Sequence, residues 1–401
     1  MPDSLTKRRV DESTVAALLR EAFGPGAAIA RCTELNDGFF NAAYRILFED
    51  GRDVVLKISP APAAALLGYE RDIMRGEDVF FRAAAAAGVP LPEVMYSGFE
   101  RAAIDGDFLV LSALEGVPWS SIEDTLADDE KSALRGELGE TVARLHTVVN
   151  PDGLFGYPAV PELSADTWPE AYAAMLDELL RDAERYDVAL PVPAPELRQL
   201  VADNAVHLAE VTEPRLVHFD LWTGNIFVST PPEGTTRRIT GLIDGERMIW
   251  GDPLMEFVGM DVFGRADQDP DIAAGYLRAG GVMEAGEAAE RRLTLYHLLH
   301  AAAAPDRDDA ARLHRSRVPR VVPRRVPQAH PRRRGTPALT RRRHRGRGRG
   351  AVTGAADEAA RVRRRRPRPG RRSGTSVRAA GGRSPSSPAA PPAAGTARRT
   401  R

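Results

Sequence analysis

The sequence predicts an α+β chain in which a β-rich first part precedes a mostly helical second part, with a cleft expected between them. Three observations predict it. Short apolar runs separated by turn residues occupy residues 28–114. Apolar residues then recur every three to four positions over most of 115–303. The helical spacing stops abruptly near Ala304.

The elements follow in order. Residues 11–23 form a short amphipathic helix, with Asp11 and Glu12 at its start and Gly24-Pro25 as its stop. Residues 28–34, 42–48 and 53–58 read as strands. The polar turn Asn36-Asp37-Gly38 follows the first, and Asp50-Gly51 joins the second to the third in a tight hairpin. A helical segment over 64–87 is closed by Gly88, and 93–99 pairs with 107–114 as strands. Helical spacing marks 129–148, 169–186 and 195–211. Two short apolar runs, 226–229 and 239–243, interrupt that region, and helices resume near Pro270 and continue to about Ala303. The division expected is 1–114, 115–303 and a tail, 304–401.

The formal charge of −1 hides an asymmetry. Residues 1–304 carry 51 acidic against 26 basic side chains, a net of −25, and residues 305–401 carry 29 arginines against 5 acids, a net of +24. The tail lacks Ile, Phe, Tyr, Trp, Met, Asn, Lys and Cys, and retains two leucines, Leu313 and Leu339. Such a segment cannot bury enough apolar surface to offset its ordering entropy, so a disordered basic arm is expected. Its composition is also that of GC-rich codons read in a shifted frame, and a frameshift is the origin this reading favours. Arginine density alone would suit nucleic acid, but the tail has no interleaved aromatic platform for bases, which argues against that partner. One cysteine, Cys32, excludes an internal disulfide framework or a cysteine-rich metal site. The first ten residues are polar, and no apolar run approaches the roughly 20 residues that span a bilayer. A cytoplasmic protein without membrane contact is expected, monomeric or weakly dimeric.

The segment 216–228, LVHFDLWTGNIFV, carries the most chemistry. His218-x-Asp220-x-x-x-x-Asn225 has the spacing of the catalytic loop in the protein-kinase fold. An aspartate near the acceptor can orient a hydroxyl and take its proton, and an asparagine five residues on can reach a Mg²⁺ held on nucleotide phosphates. Asp244 ends the second apolar run that follows, where its carboxylate is a candidate second Mg²⁺ ligand. Lys57 sits inside the apolar strand Val54-Val55-Leu56-Lys57-Ile58, where a buried ammonium requires anionic partners.

With GLIDGERMIWGDPLMEF following it, the 216–228 segment resembles the signature of the aminoglycoside phosphotransferase family, related to choline and fructosamine kinases. The pattern is His-Gly-Asp-x-x-x-x-Asn, then Ile-Asp-x-Glu, then Gly-Asp-Pro. Phe219 stands where Gly is usual and Gly245 where an aromatic is common, and neither departure touches a functional side chain. The resemblance covers about 35–303. It implies a protein-kinase-like bilobal fold with a β-rich N-lobe and a helical C-lobe, an ATP-dependent phosphotransferase, and the cofactors ATP and Mg²⁺.

By resemblance Asp220 is the catalytic carboxylate, Asn225 and Asp244 hold Mg²⁺, and His218 braces the loop. Glu246 and Asp252 are supporting carboxylates, as open to a bracing as to a direct role. Lys57 contacts nucleotide phosphates and pairs with a helix glutamate. Glu77 is the choice, eleven residues before Gly88 as in the family, with Glu70 as the alternative. The turn 36–41 covers the phosphates with a Gly-x-x-Asn matched by Gly38 and Asn41, and the Ser112-Ala113-Leu114 join is the hinge, where backbone groups of Ser112 and Leu114 would meet adenine.

The acceptor is expected to be a small molecule bearing a hydroxyl, such as an aminoglycoside or another hydroxylated amine. Clustered acids in the helical part, Glu123, Asp124, Asp128, Asp129, Glu130, Asp177 and Glu178, match a cation in sign. A catalytically silent nucleotide-binding module is the alternative, against which the intact Lys57, Asp220, Asn225 and Asp244 argue.

Overall fold

A computed structural model describes residues 6–35, 40–62, 64–190, 192–232, 235–261 and 264–302. The chain divides into two compact units, 1–322 and 323–401, and every described residue belongs to the first. The expected basic arm, and Gly38 of the phosphate turn, lie outside the described residues.

Helix α1 (Glu12–Phe23) starts where the Asp11 carboxylate accepts the Thr14 amide, and ends at Gly24 with φ +81°. Strands β1 (Ile29–Leu35), β2 (Ala42–Phe48) and β3 (Asp53–Ile58) form an antiparallel meander, interrupted from its last two strands by helix α2 (Ile73–Ala85). Strands β4 (Val94–Gly98) and β5 (Phe108–Ser112) complete a five-stranded sheet in the order β1-β2-β3-β5-β4. The central position of β3 is what buries Lys57. Because side chains alternate along a strand, Val54, Leu56 and Ile58 join Leu18, Leu19, Phe108 and Val110 in one apolar cluster. Lys57 points the other way, opposite Leu109, whose side chain belongs to the larger cluster that runs through α2 into the helical part.

The second part opens with β6 (Val117–Pro118) and α3 (Asp128–Leu145), then β7 (Phe155–Gly156), β8 (Ser164–Ala165), α4 (Trp168–Arg185), α5 (Ala194–Asp203) and α6 (Ala205–Leu208). Strands β9 (Arg215–Val217), β10 (Ile226–Val228), β11 (Ile239–Leu242) and β12 (Ile249–Gly251) flank the two signature segments. Helices α7 (Leu254–Met260), α8 (Pro270–Arg278) and α9 (Glu287–Ala302) follow. Two small sheets, β11-β10-β6 and β8-β7-β12-β9, hold the ends of the catalytic loop. Strand β9 leads into that loop and β10 leads out of it.

Three expectations need correction. The α-helix expected over 64–87 begins only at Ile73: the Gly68 amide and the Leu66 carbonyl bond to Asp182 and Tyr186, and Gly68–Glu70 forms a separate 3₁₀ turn. The helix expected over 195–211 breaks at Asn204, whose side chain turns back onto the Leu200 carbonyl at 2.7 Å. The C-terminal helical region starts earlier than expected, with α7, and is interrupted between α8 and α9.

Candidate active site

The Lys57 ammonium is buried among three carboxylates. It donates to both oxygens of Glu77 at 2.7 Å and to Asp244 Oδ1 at 2.7 Å, and lies 3.7 Å from Glu246 Oε2. Strand β3 supplies the lysine, α2 supplies Glu77, and the turn after β11 supplies Asp244 and Glu246. Burial alone would push the lysine pKa down, but Asp244, Glu77 and Glu246 outweigh it and hold the ammonium above its ordinary value. Burial likewise opposes the charge on Asp244, yet contact with Lys57 holds that carboxyl below its usual range. The carboxyls of Glu77 and Glu246 are pushed up by burial, Glu246 further by the Asp244 charge beside it.

Asp244 itself has φ +63°, a left-handed conformation that turns the chain sharply at the strand end. Gly245 follows, buried, and a Cβ there would come within 2.2 Å of the Phe80 ring. Phe80 of α2 therefore occupies the space that a side chain at 245 would take, and meets the His218 imidazole edge to face at 5.0 Å.

The catalytic loop is fixed from three sides. His218 Nε2 donates to the Ile243 carbonyl at 2.8 Å and its Nδ1 accepts the Asp220 amide at 3.3 Å, which requires the proton on Nε2. Asn225 Nδ2 donates to the Asp220 carbonyl at 2.8 Å, and the Asn225 carbonyl accepts the Ile243 amide at 3.0 Å. Beneath the loop, the fully buried Glu256 of α7 accepts the amides of His218 at 2.8 Å and Phe219 at 3.3 Å. Gly259, one turn on, lies so close that a Cβ would sit 2.6 Å from the Phe219 carbonyl carbon.

Asp220 is partly exposed, and burial raises its pKa against the pull of Arg247 and His218. The Arg247 guanidinium lies 3.9 Å from its Oδ1 and donates to the Tyr69 hydroxyl at 2.9 Å. Phe219 carries φ +63°, and its ring packs against His300 of α9, whose own pKa burial pushes down to about 3.

The structure thus brings together Lys57, Glu77, Asp244 and Glu246, and links them through His218 and Ile243 to Asp220 and Asn225. Glu70 is not the lysine's partner; its carboxylate accepts the Leu67 amide at 2.7 Å. Asn41 donates its amide nitrogen to Glu246 Oε2 at 2.5 Å. Asp252 lies apart from the lysine cluster. It accepts the Leu254 amide at 3.0 Å and anchors α9 through Arg292 at 2.9 Å and Tyr296 at 2.7 Å.

At the hinge, the Ser112 amide is spent on the Glu93 carbonyl and the Ala113 amide on the Asp53 carbonyl. The Leu114 amide has no hydrogen-bond partner among the described residues. Sequence reasoning missed Glu256 and Arg247. An acid inside the apolar run Leu254–Met260 was the available signal for the first, and nothing in the sequence marked the second.

The residues suit a nucleotide with its metal. One carboxylate and one side-chain amide, Asp244 and Asn225, are the partial ligand set that Mg²⁺ accepts when phosphates and water complete its shell. Among the described residues no cluster of three or more His, Cys, Asp or Glu forms an all-protein metal cage.

A five-stranded sheet bearing a buried Lys–Glu pair, set beside a His-x-Asp-x-x-x-x-Asn loop and a strand-end aspartate, defines a kinase-like phosphotransferase fold. The chain belongs to the phosphotransferase enzyme family, whose profile matches residues 31–296, and is by class a small-molecule kinase. No curated protein matches it. Among solved structures it is similar to a protein assigned as a fructosamine-3-kinase from Thermobifida fusca, at 20% identity and TM-score 0.53, covering 75% of this chain and 98% of that one. It is also similar to a protein assigned as an aminoglycoside phosphotransferase from Ralstonia eutropha, at 15% identity and TM-score 0.50, covering 77% and 95%. No described helix is long and apolar enough to cross a membrane.

Proposed function

We propose that the protein transfers a phosphoryl group from ATP to a hydroxyl of a hydroxylated amine, aminoglycosides among the candidates. The observation that carries the reading is the joint placement of Lys57 against Glu77 and Asp244, with Asp220 and Asn225 on the adjoining loop. In this reading Lys57 and the Leu114 amide bind nucleotide, and Asn225 and Asp244 would hold a Mg²⁺ that would supply positive charge at the nucleotide phosphates. Asp220 orients the acceptor hydroxyl and takes its proton, and burial raises its basicity for that task. His218, Glu256 and Arg247 hold the loop.

The acceptor side supports a cation. Trp222, two residues beyond Asp220, is half exposed, and the neighbouring Thr223 hydroxyl donates to Glu123 at 3.3 Å. Indole rings and carboxylates both attract ammonium groups. Fructosamines and aminoglycosides, for which the two structural relatives are named, are both hydroxylated amines.

The test is ATP consumption measured over a panel of amino-hydroxyl compounds and uncharged polyols, with Asp220→Ala as control. Acceptor-dependent turnover on amines, absent in the variant, supports the proposal. Nucleotide binding without turnover on any acceptor would instead assign a silent nucleotide-binding module.

A further inference from the structure

The segment between Lys57 and Glu77 is held by the helical part of the molecule, from a helix that carries no proposed catalytic residue. Helix α2 has no side-chain cap at its N-terminus: Asp72 stands at the capping position with φ +50°, and its carboxylate pairs with Arg101 at 2.7 Å instead. What precedes α2 is the stretch Leu66–Tyr69, and three side chains of α4 take up its backbone. Asp182 Oδ2 accepts the Gly68 amide at 2.7 Å, and the Leu66 carbonyl accepts from Arg185 at 2.6 Å and the Tyr186 hydroxyl at 2.7 Å. Positions 182, 185 and 186 stand at i, i+3 and i+4, one face of the helix and its cap. Asp182 is itself buried and pairs with Arg185.

We infer that this face of α4 is a dock for the leader of α2, and that Asp182 is a positioning residue for nucleotide binding. The inference rests on the proposed kinase reading. The argument is geometric. Glu77 reaches Lys57 only while α2 stays seated, and α2 follows its leader directly. A leader tied to α4 fixes the register and tilt of α2, so the Lys57–Glu77 pair is assembled before any ligand arrives. Asp182 acts on the phosphate end of the site through Gly68 and α2. It does not itself touch the Asp220 loop, which the leader reaches through Tyr69, whose hydroxyl accepts from Arg247.

The experiment compares Asp182→Ala, Asp182→Asn and Tyr186→Phe in the full chain. Binding of MgATP is followed by calorimetry, and thermal unfolding is recorded alongside. Asp182→Ala should weaken MgATP binding about tenfold at a temperature well below its melting point. Asp182→Asn should recover most of the affinity, because an amide oxygen still accepts the Gly68 N–H. Tyr186→Phe, which deletes one of two donors to Leu66, should weaken binding about twofold. Where an acceptor has been found, the nucleotide KM should rise in Asp182→Ala by clearly more than the acceptor KM.

Asp182→Ala that stays folded with wild-type MgATP affinity overturns the inference, as does an equal rise in both KM values. Should Asp182→Ala fail to fold, Tyr186→Phe decides, and unchanged affinity in it overturns the inference too. Absence of MgATP binding by the wild-type chain overturns the kinase reading itself, an outcome distinct from the others.

Discussion

Replacing Lys57 by Met, close in length but uncharged, would leave Glu77 fully buried with no cation against it. Glu77 has no solvent exposure, and its two oxygens both contact the same ammonium. Removing one partner of such a pair costs about 3–5 kcal/mol, since the other is left charged in a poorly polarisable environment. Asp244 stands more exposed and recovers hydration, so most of that cost falls on Glu77. At roughly 2–4 °C per kcal/mol for a domain approaching this size, Tm should drop by on the order of 10 °C at neutral pH.

The loss should depend on pH in a defined direction. Burial already raises the Glu77 carboxyl, and deleting Lys57 removes the main opposing effect. A carboxyl whose folded pKa lies above its unfolded value favours the folded state below the unfolded pKa. That advantage is lost as pH rises through the window between the two. The gap between Lys57→Met and wild type should therefore narrow from pH 7.5 to pH 5. The double variant Lys57→Met/Glu77→Leu, with an apolar pair in place of the ionic one, should recover most of the stability and none of the activity. Differential scanning calorimetry across pH, paired with ATP turnover, measures both. A single variant as stable as wild type at pH 7.5, or a double variant no better than the single, would refute the argument that Glu77 depends on Lys57.

Asp220→Ala should cut turnover by on the order of 10²-fold or more while MgATP still binds, a split that turnover and calorimetry together resolve. Asn225→Ala and Asp244→Ala should each raise the Mg²⁺ concentration needed for half-maximal rate, with Asp244→Ala the worse because a charge is lost; unchanged profiles for both would sink the assignment. At Phe219, φ of +63° inverts the usual order of substitutions. Phe219→Gly and Phe219→Ala both lose ring burial, but only Ala retains the left-handed strain, so Ala should melt lower than Gly by an amount equivalent to about 1 kcal/mol.

What the sequence disclosed followed from the length of each signal. Strands β2 and β3 were legible to the residue because their apolar runs are bounded by Asp50-Gly51. Long helices such as α4 were legible from their spacing. Strands β6, β7, β8, β9 and β12 are two or three residues long, too short for any period to show. Segment 66–70 read as part of the long helix, but Gly68–Glu70 forms a separate 3₁₀ turn. Glu70 ties it locally to the Leu67 amide, and Asp182 and Tyr186, more than a hundred positions away, bond to Gly68 and Leu66. The spacing to Gly88 picked out Glu77 correctly as the partner of Lys57. Glu246 and Asp252 could not be separated by sequence, since both are acids in one short segment. Their separation rests on what packs against each: Lys57 and Asn41 on one side, Arg292 and Tyr296 on the other.

The two departures from the family pattern are absorbed by different physical means. At 245 Phe80, from another element, fills the space a Cβ would need and meets the His218 ring edge to face. At 219 a bulky residue adopts a backbone conformation that costs it about 1–2 kcal/mol relative to a right-handed one. That cost is offset by burying a phenyl ring against His300, a burial whose loss in Phe→Ala changes typically costs 3–5 kcal/mol. Glu256 then holds the strained backbone by accepting the amides of His218 and Phe219. The direction of Asp220 thus depends on α7 and α9 as well as on its own loop. Substitutions at Glu256 or His300 should therefore alter catalysis through the backbone at Phe219, without any contact to substrate.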